Sequence, residues 1–297
     1  MLDRSPLARV LAIHNGKGGA FKSSIAANLS GIVAEAGYRV LLIDLDPQGN
    51  CGEDLGYTDH ADDGAALRAS LEFGTPLKPT LEARSSLFVV AGGRALRKLK
   101  VGPVQRPLDM LAVSLIPVAD EYDLVILDTP PGGWSTIEMA MGAARYLIIP
   151  SAFDRSSIKG LEDVAVVVEE ARGENPMLTL LGALLVQVGT NHKTIRTRAL
   201  AGLTHSLGGD ELMFDTKIRY APKTAQDSRD RGLLAHELAA QVQGRPFWDF
   251  LRSGEKVPDR AESAPGLASD YVALTDEILK RIHDEENRLA THEEDQP

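Results

Sequence analysis

The sequence predicts a doubly wound α/β fold, with a mostly parallel sheet and helices on both faces. Three observations predict it. The apolar runs Val10-Leu11-Ala12-Ile13, Val40-Leu41-Leu42-Ile43, Leu124-Val125-Ile126-Leu127 and Tyr146-Leu147-Ile148-Ile149, and the run from Leu180 to Val188, are continuous rather than alternating. That is the pattern of strands buried on both faces. Helical stretches separate them, from Ser23 to about Ala36 and from Ser156 to Ala171, so strands and helices alternate along the chain. Finally, the first three runs close on a glycine-rich turn or on aspartate, and ligands of open α/β sheets bind at that strand edge.

The remaining elements are read in order. Residues 58–113 are less regular and insert-like: Leu87-Phe88-Val89-Val90 reads as a strand, Gly92-Gly93 as a turn, and Arg94–Lys100 as a short basic helix. A C-terminal helix is expected over Ser269–Arg288, where Tyr271, Leu274, Ile278 and Ile282 recur at helical spacing. Residues 1–288 therefore read as a single domain, with 289–297 as an acidic, disordered tail.

Composition bounds the function. The chain has 297 residues, 43% hydrophobic and 25% charged, which suits a soluble globular domain. No run of eighteen apolar residues suggests a membrane span, and the N-terminus carries no signal-peptide pattern. One cysteine, Cys51, excludes a disulfide framework within the chain. A cytoplasmic location is expected. The formal charge of −10 is uneven. Residues 253–297 hold twelve acidic and five basic side chains, a net of −7 that leaves −3 for residues 1–252. Residues 191–231 hold eight basic and five acidic ones. Total charge therefore does not exclude nucleic acid, because local patches decide that.

The run Gly16-Lys17-Gly18-Gly19-Ala20-Phe21-Lys22-Ser23, followed by Ser24, stands between a strand and a helix. That is the arrangement of a phosphate-binding loop, in which backbone N–H groups and the helix N-terminus cradle phosphate oxygens. Lys22 is placed to reach the β- and γ-phosphates of ATP, and the Ser23 hydroxyl to ligate Mg²⁺. Phe21 stands where such loops carry glycine, at a position that could demand a left-handed backbone. Asp44 and Asp46, in Asp44-Leu45-Asp46-Pro47-Gln48-Gly49-Asn50, close the second run. Asp128 closes the third as a Walker B carboxylate, placed to hold Mg²⁺ through water.

These motifs together resemble the ParA/MinD family of deviant Walker P-loop ATPases. The family loop K-G-G-x-G-K-[ST] has an extra lysine, and Lys17 stands at that position. D-x-D-P-Q-G-N is matched from Asp44 to Asn50, and the D-x-P-P segment by Asp128-Thr129-Pro130-Pro131. Pro150-Ser151-Ala152-Phe153-Asp154 with Gly160-Leu161, and Phe214–Arg219 with Gly232, resemble later family segments more loosely. The resemblance implies that Lys17 crosses a dimer interface to the partner's nucleotide. It also implies that Asp46 positions or activates the attacking water and that Asp44 supports the Mg²⁺ shell.

It implies further an ATP-dependent homodimer that binds DNA nonspecifically, associates with the nucleoid and moves plasmid, phage or chromosomal DNA with a ParB-type partner. Lys193, Arg196, Arg198, Arg219, Lys223, Arg229 and Arg231 are the candidate DNA contacts. Only nine residues precede the first strand, so no helix-turn-helix is expected ahead of the loop. A MinD-like membrane switch is disfavoured by the acidic run Asp284-Glu285-Glu286 and the acidic residues after it. Two readings stay open beside DNA partitioning: a slowly or non-hydrolysing nucleotide-binding scaffold, marked by Phe21, and positioning of a protein cargo.

Overall fold

The computed structural model describes residues 2–101, 106–152, 164, 166–188, 210–242 and 263–294. Among these residues the strands are β1 Val10–Ile13, β2 Val40–Asp44, β3 Leu81–Arg84, β4 Leu87–Val90, β5 Leu124–Asp128, β6 Tyr146–Ser151, β7 Thr179–Val188 and β8 Met213–Arg219. They form one sheet in the order β3-β4-β2-β5-β1-β6-β7-β8. Every pairing is parallel except β3 with β4. The helices around the sheet include α1 Lys22–Glu35, α2 Cys51–Leu55, α3 Ala65–Phe73, α4 Pro107–Leu115, α5 Trp134–Ala143, α6 Pro222–Arg231, α7 Ala235–Val242 and α8 Ala264–Glu294.

The continuous apolar runs become strands with every residue buried in β1, β2, β5 and β6. Successive side chains leave a strand on opposite sides, so each run feeds two cores. Leu11, Ile13, Leu42 and Ile126 face one cluster, which also holds residues of α1, α7 and α8. Val10, Ala12, Leu41, Ile43, Val125 and Leu127 face the other, with residues of α4 and α5. Helix α1 is made of small and apolar residues, and twelve of its fourteen are buried, as befits a helix enclosed on nearly all sides. Helix α8 instead lays Leu267, Tyr271, Leu274, Ile278 and Ile282 on the core.

Within residues 58–113, β4 pairs in parallel with β2 over four residues, and β3 folds back on β4 at the sheet edge. The C-terminal helix is longer than its apolar spacing shows and runs through Glu294. The disordered tail is thereby corrected over 289–294, where the polar helix simply extends past its last packed residue; 295–297 lie outside the described residues. Among the described residues no helix is long and apolar enough to cross a membrane. The apolar stripe of α8 packs on the core.

Candidate functional site

The register assembles the site. Asp44 pairs with Asp128 across β2 and β5, and Ile13 pairs with Asp128 across β1 and β5. The loop after β1 and the two strand-ending carboxylates therefore meet at one sheet edge. Asn15 anchors the loop. Its side-chain amide donates to the Pro150 carbonyl at 2.5 Å, and its Oδ1 accepts the Lys17 N–H at 2.7 Å. Lys22 turns back over the loop, its ammonium donating to the carbonyls of Asn15 at 3.0 Å and Lys17 at 3.2 Å. Burial lowers the Lys22 pKa, and the nearby Asp128 and Asp46 partly offset that.

Phe21 caps α1 with φ 59° and ψ 19°, a left-handed conformation. The position does demand what glycine gives freely. Its ring is half-buried and packs on the larger core cluster, which holds it there. Gly19, also left-handed at φ 76°, presents its carbonyl to the Gln187 side chain at 3.3 Å.

Behind the loop lie the carboxylates, all buried. Asp44 organises the backbone, accepting N–H from Asp46 at 2.9 Å and from Cys51 at 3.3 Å. Asp46 in turn accepts the Gln48 N–H at 2.8 Å. Gly92 closes the floor: a Cβ there would lie 2.6 Å from the Asp44 carbonyl and 2.7 Å from its Oδ1. One Asp128 oxygen accepts the Cys51 thiol at 3.3 Å, while the other, Oδ1, is buried with no partner among the described residues. Burial pushes the Asp128 carboxyl up to about 7, against the opposing pull of Ser23 and Cys51 hydrogen bonds and of Lys22. Burial and the neighbouring Asp128 likewise raise Asp44 well above the usual carboxylate range.

Two buried carboxyls side by side, one with an orphaned oxygen, fit a hard divalent cation. Ser23, next to Asp128, completes an oxygen set suited to Mg²⁺. Cys51 shares the cluster, its sulfur within 4.8 Å of Asp44 and Asp128 donor atoms.

Ser24 and Arg229, expected at the nucleotide and at DNA, share a hydrogen-bond cluster with Asp54. The Ser24 hydroxyl donates to Asp54 at 3.1 Å and accepts from Arg229 at 3.1 Å, and Arg229 also binds Asp54 at 2.9 Å. Arg219 is held by Asp270 at 2.6 Å and Arg231 by Asp227 at 3.0 Å. Lys223 is exposed on α6. Lys193, Arg196 and Arg198 lie outside the described residues, as do Phe153, Asp154, Gly160 and Leu161.

Sequence reasoning missed several members of the site. Asn15 precedes the glycine run directly, and that adjacency was the available signal. His14, buried and pushed down to about 3 by burial and by Lys22, hydrogen-bonds Thr129 at 2.8 Å. Nothing local marked it, nor Asp54.

A phosphate loop closed by a lysine–serine pair, with carboxylates at the ends of two adjacent parallel strands, defines a P-loop NTPase. The AAA domain family matches residues 8–180. The chain is 34% identical over 292 residues to the chromosome-partitioning ATPase Soj of Thermus thermophilus, covering 93% of this chain and 97% of that one. Among solved structures it resembles the apo form of McdA from Cyanothece, with TM-score 0.68, 19% identity and coverage of 91% and 99%. It also resembles the septum site-determining protein MinD of Pyrococcus horikoshii complexed with Mg-ADP, with TM-score 0.62, 20% identity and coverage of 91% and 95%. The chain belongs to the ParA/MinD family of P-loop ATPases.

Proposed function

We propose that the chain is an ATPase that dimerises on ATP, binds DNA nonspecifically and partitions DNA with a ParB-type partner. The single observation that carries the ATPase reading is the convergence of Lys22, Ser23, Asp44, Asp46 and Asp128 on one sheet edge, with Asp128 Oδ1 left for a cation. Similarity to Soj along nearly the whole chain supports the partitioning role.

Lys22 would move from the loop carbonyls onto the β- and γ-phosphates, exchanging two neutral acceptors for charged ones. Ser23 and Asp128 would hold Mg²⁺, with Asp44 supporting from behind; the ion neutralises phosphate charge when bound. Asp46 would orient the attacking water and accept its proton. Positioning and electrostatics supply most of what phosphoryl transfer requires. Lys17, half-exposed on the loop, would reach the partner's nucleotide in the dimer.

ATP turnover with and without nonspecific DNA, and in Asp46→Ala, tests this reading. Hydrolysis should rise with DNA, and the variant should bind ATP and accumulate as a dimer; unchanged turnover in Asp46→Ala would sink the assignment. The left-handed Phe21 favours one second reading, a scaffold that binds nucleotide and hydrolyses it slowly. ATP binding without turnover, DNA present or absent, would select it.

A further inference from the structure

Outside the phosphate contacts, one polar cluster joins three elements around the site, with Asp54 and Ser24 buried and Arg229 partly exposed. Asp54, 5% exposed, sits near the end of α2. It receives Arg229 Nε at 2.9 Å and the Ser24 hydroxyl at 3.1 Å, and the second Arg229 nitrogen reaches Ser24 at 3.1 Å. Ser24 follows Ser23 on α1, and Arg229 comes from the last turn of α6. The opposite end of α2 is fixed as well, since the Cys51 N–H donates to Asp44 at 3.3 Å. Helix α2 is thus a short strut running from the cation-side carboxylate to the phosphate-binding helix, and the Asp46 loop leads into it.

The α2–α6 junction is close-packed beyond the ion pair. A Cβ on Gly232 would fall 2.3 Å from the Gly56 Cα. Arg84 donates to the carbonyls of Leu55 at 3.1 Å and of Gly232 at 2.9 Å.

We infer that the Ser24–Asp54–Arg229 cluster positions the Asp46 loop against Lys22 and Ser23, making Asp54 and Arg229 positioning residues for hydrolysis. The inference rests on the ATPase reading. Stability alone does not account for the cluster, because an ion pair open to solvent on its arginine side adds little stability by itself. What the charges add is fixed direction: a forked guanidinium accepts one relative placement of a carboxylate and a hydroxyl. A small misplacement of a reacting group is enough to slow chemistry by about a hundredfold.

The test uses the full chain with Arg229→Gln, Asp54→Asn and both together. Turnover should fall about tenfold or more in each, with nucleotide Kd and KM moving less than about threefold, since the group lost acts after binding. The double variant should be no worse than the poorer single one, because the residues act as a unit. With Mg-ADP bound, amide exchange should quicken over residues 46–55 and stay slow over 22–30. Exchange that is unchanged over 46–55, or equally faster in both segments, would overturn the proposal. Wild-type protein that binds nucleotide without turning it over would instead refute the ATPase reading, and the exchange pattern would still decide whether the cluster positions the loop. If Arg229→Gln does not fold, Ser24→Ala removes the bridging hydroxyl and is read by the same exchange comparison.

Discussion

At the scale of single residues the site holds two unfavourable features together, a strained phenylalanine and a crowded pair of carboxyls. A left-handed conformation costs a residue with a side chain about 1–2 kcal/mol, and the half-buried ring of Phe21 recovers part of that on the core. Because the loop already holds this backbone, Phe21→Gly should leave the phosphate cradle in place and raise ATP affinity by at most about tenfold, the equivalent of 1.4 kcal/mol. Calorimetric titration measures it, and weaker binding would show that the ring itself helps to hold nucleotide. Asp128 responds to pH. Its folded pKa, about 7, lies above the ordinary 3.8, so the folded protein binds the proton more tightly and loses stability as pH rises toward 7. Asp128→Asn removes that penalty. The nucleotide-free variant should unfold at a higher temperature than wild type, with the gap wider at pH 8 than at pH 5, while its response to Mg²⁺ disappears.

At the scale of elements, the contrast between what could and could not be read from the sequence is physical. Strands β1, β2, β5 and β6 announced themselves because burial on both faces demands unbroken apolar runs. Loop and carboxylates followed from their place at the strand ends. Strand β3, Leu81–Arg84, is half-exposed and carries Glu82 and Arg84, so it left no apolar signature. Asp54 and Arg229 are 175 residues apart, and only the tertiary fold makes a partner of them; read along the chain, Arg229 is one basic residue among several. The same junction yields a prediction. Gly232 ends α6 at φ 61° with its Cα against Gly56. Gly232→Ala should therefore destabilise the protein by about 2 kcal/mol or more, from a left-handed alanine plus a backbone clash. Chemical denaturation should show a lower midpoint with an unchanged slope.

At the scale of the whole molecule, the proposed function requires one protomer to become a DNA-bound dimer. Lys22→Ala should abolish ATP binding. Lys17→Ala should bind ATP within about tenfold of wild type yet remain monomeric by light scattering; equal loss of nucleotide affinity in both would undermine the role given to Lys17. DNA binding should need ATP and weaken steeply with salt. Of the candidate contacts on described residues, Arg219, Arg229 and Arg231 are already matched by Asp270, Asp54 and Asp227, whereas Lys223 is exposed on α6. Lys223→Glu should consequently weaken DNA binding more than Arg219→Gln does.

The orphaned oxygen of Asp128 also bears on energetic bookkeeping outside the protein. Burial holds the cation-free Asp128 carboxyl well above the usual carboxylate range, so it keeps part of its proton near neutral pH, and a Mg²⁺-nucleotide complex requires it ionised. Loading the site should then expel protons into solution, so the heat of binding measured at pH 7 should vary with the ionisation enthalpy of the buffer. Each round of nucleotide exchange would carry a small proton current, in one direction on loading and in the other on release.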